Sequence, residues 1–296
     1  MPDQYYPPLR IWVISGTVFI VLFLVVHVLA LRYNHALVQK KQKQEATYLL
    51  KHVVEHFKKN ESKTKVMVLG SSIVGQGIAC EEEFDDTTFR NIVMGKVYVP
   101  AYYKIVESWI DAKVFDSILK YPPAVVLIEI DQLAYKIKED TSFFDRAQES
   151  IFFIKNLKIT TGYSWANYKM PAYCGRSINE TIPDSMLAPT ISWEARTFED
   201  LCVIHPELKR LREAGIRIIL IQIPRPAEIE VLLHDEKKDK QLQALLTAYK
   251  LHYQIDYWSY PNKLPYAYFY DQGHLNKKGR TTYSKWLYTK LQKEIR

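Results

Sequence analysis

From Val66 onward, short apolar runs take turns with amphipathic helical patterns, and few folds accept that alternation. Residues 66–69, 89–94, 124–130 and 216–223 read as buried strands, with 254–258 as a fifth. Residues 102–112, 199–214, 238–251 and 277–295 read as helices. Strands apolar on both faces and joined by helices predict a mainly parallel sheet between two helical layers, an α/β three-layer sandwich. In such sheets functional residues gather beyond the carboxyl ends of the strands, and Ser72, Gly95 and Asp131 fall at such ends. Residues 140–198 break the alternation. They are rich in Tyr, Asn, Ser and Thr, contain Pro171, Pro183 and Pro189, and predict an insertion, either a substrate lid or a surface excursion.

Ahead of this domain, after a short tail over residues 1–10, residues 11–31 contain no Asp, Glu, Lys or Arg. That is long enough to span a bilayer as one helix, and Trp12 suits the interface. A cleaved signal peptide is the competing reading. Its apolar region would be shorter, and its basic residues would precede it. A single uncleaved transmembrane helix is therefore expected.

Residues 32–62 predict a basic helical stalk, or a helix packed beside the main domain at 63–296. Leu49, Leu50, Val53, Val54 and Phe57 recur there at helical spacing. Residues 32–65 hold nine Lys or Arg against Glu45, Glu55 and Glu61. The whole chain carries +7 and residues 1–31 net zero, so only about +1 remains from Val66 onward. The basic character is thus a local collar, which argues against a nucleic-acid partner. The collar would draw the domain to the cytoplasmic side, whereas the chemistry below suits an extracytoplasmic one. Cys80, Cys174 and Cys202 allow one disulfide and a spare thiol, or three reduced thiols.

Two segments about 200 residues apart carry the candidate chemistry. The first strand runs into Leu69-Gly70-Ser71-Ser72, which sets a serine at a tight turn into a helix. The free amides there suit an oxyanion, and the same pattern suits plain N-capping or a phosphate, although the Walker lysine is absent. The second segment is Asp271-Gln272-Gly273-His274, on a loop before the last helix. A carboxylate three residues from an imidazole can orient the ring and stabilise its charged form. Joined to a serine, these are the residue types that activate a hydroxyl for acyl transfer. His274 lacks further His or Cys neighbours in sequence, so neither a metal nor another cofactor is expected.

These blocks resemble those of the SGNH (GDSL-type) hydrolase superfamily, in particular its membrane-anchored, envelope-associated branch. The resemblance covers roughly Val66 to the C-terminus and implies a flavodoxin-like sheet behind the membrane helix. It implies Ser72 as nucleophile, in Gly70-Ser71-Ser72, with Asp271 and His274 completing the triad. The amides of Ser72 and Gly95 are implied as oxyanion donors. The family's third block supplies an Asn donor, whereas this chain has Asp131, followed by Gln132. Asp131 would have to be protonated to donate, Gln132 would replace it, or the backbone amides would suffice alone. The expected function is an esterase or O-acyltransferase working on acylated envelope glycans, with a membrane acyltransferase as an expected partner. A catalytically weak binding or assembly subunit, and a lipid-acting lipase or thioesterase, are the alternatives.

Overall fold

In the computed structural model, residues 8–84, 89–99, 105–137, 193–233 and 235–295 are described. Helix α1 (Leu9–Lys59) opens the chain. Its first stretch, Leu9–Val26, has a mean hydropathy of 2.5 and is long and apolar enough to cross a membrane; a signal sequence has the same character. The first compact unit holds α1 up to Lys40, and the second begins at Lys41 and holds every strand. Within that second unit Ala46, Leu49, Leu50, Val53 and Phe57 are buried. From Ala46 to Phe57 this helix packs on the core of the second unit.

Strand β1 (Thr64–Ser71) follows, then α2 (Ser72–Gly77), β2 (Ile92–Val99), α3 (Ile105–Asp111), α4 (Val114–Lys120) and β3 (Val125–Glu129). Next come α5 (Asp131–Ala134), β4 (Tyr135–Ile137), β5 (Trp193–Ala195), α6 (His205–Glu213), β6 (Arg217–Gln222) and α7 (Ala227–Leu233). The chain ends with α8 (Glu236–Tyr253), β7 (Asp256–Ser259) and α9 (Lys277–Glu294). Five strands form one parallel sheet in the order β2-β1-β3-β6-β7. Leaving out the separate two-stranded β4–β5 sheet, this is the doubly wound order 2-1-3-4-5, as expected.

The period of two along each strand explains why both faces are covered. Met67, Leu69, Val93, Val97, Val126 and Ile128 point into one core with α1, α3, α4, α6 and α8. Val66, Val68, Met94, Val125 and Leu127 point into the other, with Val74 of α2 and Tyr283, Leu287 and Leu291 of α9. The alternative lid or surface excursion at 140–198 lies outside the described residues up to 192. Its last part supplies β5, which pairs antiparallel with β4.

Strand β2 corrects the sequence reading, which placed it at 89–94. The strand starts at Ile92 and continues past Lys96 to Val99, all of it buried. Lys96 hid this continuation, since a lysine ends an apolar run. Its ammonium group reaches the main chain of α2 instead, donating to the carbonyls of Ile78 at 2.6 Å and Gly75 at 3.4 Å. Carbonyls at a helix C-terminus need such a donor. Burial pulls the Lys96 pKa well below its ordinary value, and Arg280 nearby adds to the effect.

Gly95 moves with the strand. It sits opposite Met67 in the ladder, while the strand end, Val99, sits opposite Ser71. Four residues of strand, about 13 Å, separate Gly95 from that end. A Cβ on Gly95 would lie 2.4 Å from Val53 and 2.9 Å from Phe57, so the glycine lets α1 approach the sheet. Gly95→Ala should lower stability by about 1–3 kcal/mol through overpacking. It should leave the reactivity of each folded site unchanged. Thermal melting and active-site titration of the same variant measure the two effects.

Candidate active site

Strand β1 ends in a turn built around Ser71. Its extended backbone (φ −94°, ψ −169°) caps α2, and its hydroxyl accepts the Ile73 N–H. That contact is 3.1 Å long. Gly70 is needed just before it, because a Cβ there would lie 2.1 Å from Val74 and 2.6 Å from Glu129 Oε2. Ser72 is thus the first residue of a short helix at the carboxyl end of β1. The far end of α2 is held as well, since the Ser284 hydroxyl of α9 accepts the Ala79 N–H at 2.8 Å.

The second segment is a pinched loop. Phe269 and Leu275 form an antiparallel bridge, and the Tyr270 N–H donates to the His274 carbonyl at 3.1 Å. Asn276 caps α9, accepting from Lys278 and Gly279, while its amide donates to the Ala267 carbonyl at 2.8 Å. Tyr270 stacks on the His274 ring with centroids 5.4 Å apart and an interplanar angle of 22°. Burial, reinforced by the Asp271 charge, pushes the Tyr270 phenol up to about 12, so it is neutral at ordinary pH.

These two segments meet. His274 Nε2 lies 2.9 Å from Ser72 Oγ. On its other side, Nδ1 lies 2.9 and 2.8 Å from the two oxygens of Asp271. Asp271 Oδ1 also accepts the N–H groups of Gly273 and His274, each at 2.8 Å. Burial would raise the Asp271 pKa. The bond from His274, its charge and the two amides outweigh that, and the carboxyl is held below its usual range. The loop therefore presents an ionised acid to Nδ1–H, which leaves the Nε2 lone pair facing the Ser72 hydroxyl.

The other expected donors are not where the sequence reading put them. Gly95 lies in mid-strand. Asp131 is buried and its Oδ2 forms an ion pair at 2.5 Å with Arg225 Nη2. A carboxylate paired to a guanidinium has no proton to offer an oxyanion. Gln132 turns its amide nitrogen onto Glu129 Oε1, 3.2 Å away. The Ser72 main-chain N–H lies in the first turn of α2.

Sequence reasoning missed Glu129 and Arg225. Glu129 is fully buried at the end of β3. Its Oε2 accepts the Ser71 N–H at 2.6 Å, and its Oε1 meets the Ser71 hydroxyl at 3.0 Å. The available signal was an acid closing the run Val125-Val126-Leu127-Ile128, where a buried charge demands partners. Arg225 follows β6 and is also buried. Burial opposes its charge, but Asp131, Glu230 and Glu129 more than offset that and raise its pKa.

Comparisons with known proteins add shape alone. No family model and no curated protein matches the chain. Among solved structures, a provisionally assigned acylhydrolase from Bacteroides fragilis shares 14% identity at a TM-score of 0.38, over 82% of this chain and 97% of that one. An active-site mutant of a family two carbohydrate esterase from Clostridium thermocellum shares 11% identity at a TM-score of 0.37, over 78% of this chain and 64% of that one. Likeness at this level does not bear on activity.

Glu129 gives the site a pH signature. Burial, and next the Asp131 charge, raise its pKa from 4.5 to about 7. A raised acid contributes stability that is complete below the unfolded pKa and is lost as pH rises through the folded one. Unfolding stability should therefore decline between about pH 4.5 and about pH 7. Glu129→Gln should flatten that part of a melting-temperature profile; an unchanged slope would assign the decline to other groups.

Proposed function

We propose that this protein is a membrane-anchored serine acyl esterase or O-acyltransferase of SGNH type, acting on ester-linked acyl groups of cell-envelope glycans. The observation that carries it is the continuous line Ser72 Oγ–His274–Asp271, with contacts of 2.9 Å on one side of the ring and 2.8 Å on the other. In this reading the Ser72 oxygen attacks the ester carbonyl as its proton passes to His274 Nε2. Asp271 steadies the imidazolium that forms. The Ser72 N–H, in the first turn of α2, donates to the carbonyl oxygen as it becomes negative. His274 then returns the proton to the leaving sugar oxygen, the C–O bond breaks, and the acyl group stays on Ser72. Water or a second hydroxyl attacks that ester by the reverse path, giving hydrolysis or transfer.

Two features support a site outside the cytoplasm and next to the membrane. Leu9–Val26 can anchor the chain. Cys80 is disulfide-bonded, while Cys202 is a free, exposed thiol and Cys174 lies outside the described residues. Disulfides persist in oxidising compartments. A membrane acyltransferase that hands acyl groups to this site fits the same placement.

One observation favours a second reading, a catalytically weak binding or assembly subunit of a polysaccharide-modifying complex. Gly95 lies in mid-strand and Asp131 is paired with Arg225, and losing one oxyanion donor costs about 10²–10³ in turnover.

A fluorophosphonate probe separates the two. The esterase reading expects one adduct, on Ser72, abolished by Ser72→Ala. Asp271→Asn should slow labelling by about 10³–10⁴, because the ring loses its orienting charge. Folded protein that stays unlabelled would favour the binding subunit.

A further inference from the structure

We propose that Glu129 is a positioning residue for this site: it braces Ser71 from the neighbouring strand so that Ser72 presents its hydroxyl to His274. The proposal rests on the reading of Ser72 as nucleophile. Both oxygens of Glu129 are used on one residue, Oε2 for the Ser71 N–H at 2.6 Å and Oε1 for the Ser71 hydroxyl at 3.0 Å. The same hydroxyl accepts the Ile73 N–H at 3.1 Å. The residues before and after Ser72 are therefore tied to one carboxyl group, directly and through one shared oxygen. Ser72 keeps its own side chain for the imidazole.

The brace is itself held. Gln132 donates to Glu129 Oε1 at 3.2 Å, which fixes the rotation of the carboxyl group. Asp131, two residues on, is pinned to Arg225 at 2.5 Å. Gly70 leaves the space through which Oε2 reaches the turn. A merely structural role explains this arrangement poorly. Desolvation of a buried carboxyl offsets most of what its hydrogen bonds contribute, so an apolar residue would serve stability as well. Geometry is what the carboxyl supplies and an apolar residue would not. Misplacement by about 1 Å can cost on the order of 100-fold in rate.

The test uses the full-length chain and an activated acetyl ester, with the burst of released alcohol counting the active sites. Glu129→Ala should lower the acylation rate per counted site by about 10–100-fold, with KM little changed. Glu129→Gln keeps an acceptor for the Ser71 N–H and should recover most of that loss. A structural role predicts fewer counted sites, each reacting at the normal rate, and that result overturns the proposal. So does a Gln variant as slow as the Ala variant. Should Glu129→Ala not fold, Ser71→Ala removes the hydroxyl link to Glu129 together with the Ile73 cap and should slow acylation in the same direction; a normal rate there sinks the brace. Amide exchange at Ser71 reads the brace without chemistry and should quicken more in Glu129→Ala, which removes the acceptor of that N–H, than in Glu129→Gln. An unlabelled, burst-free wild type would instead overturn the esterase reading, with the exchange data still deciding what Glu129 holds.

Discussion

The parallel pairing of β1 with β3 sets the geometry of everything at the candidate site. Leu69 lies opposite Ile128, so the next residues, Gly70 and Glu129, arrive side by side where both strands end. These are the two strands between which a doubly wound sheet reverses its direction of winding. That reversal opens the crevice used by ligands in such folds. Ser72 follows one strand and Asp131 the other. The distance between them is fixed by a sheet with helices on both faces. A site on such a scaffold inherits its rigidity, whereas His274 comes from a loop that needs its own bracing. The Phe269–Leu275 bridge, the Asn276 cap and the Tyr270 ring supply it.

Buried charges recur around this edge, and each has found a partner by a different route. Lys96 donates to the carbonyls that end α2. Glu129 receives the turn that begins α2. The two ends of one short helix are thus held by a lysine from β2 and an acid from β3, strands on either side of β1. A helix of six residues is too short to be stable alone, so its orientation must come from such contacts. The direction of the Ser72 hydroxyl is then a property of three strands and not of the helix itself.

The sequence made the parallel sheet and the pair of candidate segments legible, while the strand order came only through the family resemblance. Apolar runs of strand length and the Asp271–His274 spacing depend on local pattern alone. It misplaced β2 because Lys96 breaks the apolar run, and with β2 it misplaced Gly95. It overlooked α4 and α7, helices of seven residues each, too short for a clear period. It also read Asp131 and Gln132 as facing the reaction. Their partners, Arg225 and Glu129, come from elsewhere in the fold, and side-chain direction at a strand end is decided by such pairings. Glu129 stood in plain view as an acid closing an apolar strand. Its target, a main-chain N–H on another strand, leaves no trace in sequence.

The Asp131–Arg225 pair bears directly on whether a negative charge can develop beside Ser72. A lone buried carboxylate at the end of β3 would oppose an oxyanion through a medium that screens weakly. Paired with a guanidinium at 2.5 Å, it presents a dipole whose field falls off much faster than that of a single charge. Burial also raises the Glu129 pKa to about 7, which weakens a second negative charge at the same edge near neutral pH. Both effects work in one direction. They lower the net negative charge that Glu129 and Asp131 bring to this edge of the sheet. Asp271 remains ionised, held by the His274 ring and by the Gly273 and His274 amides.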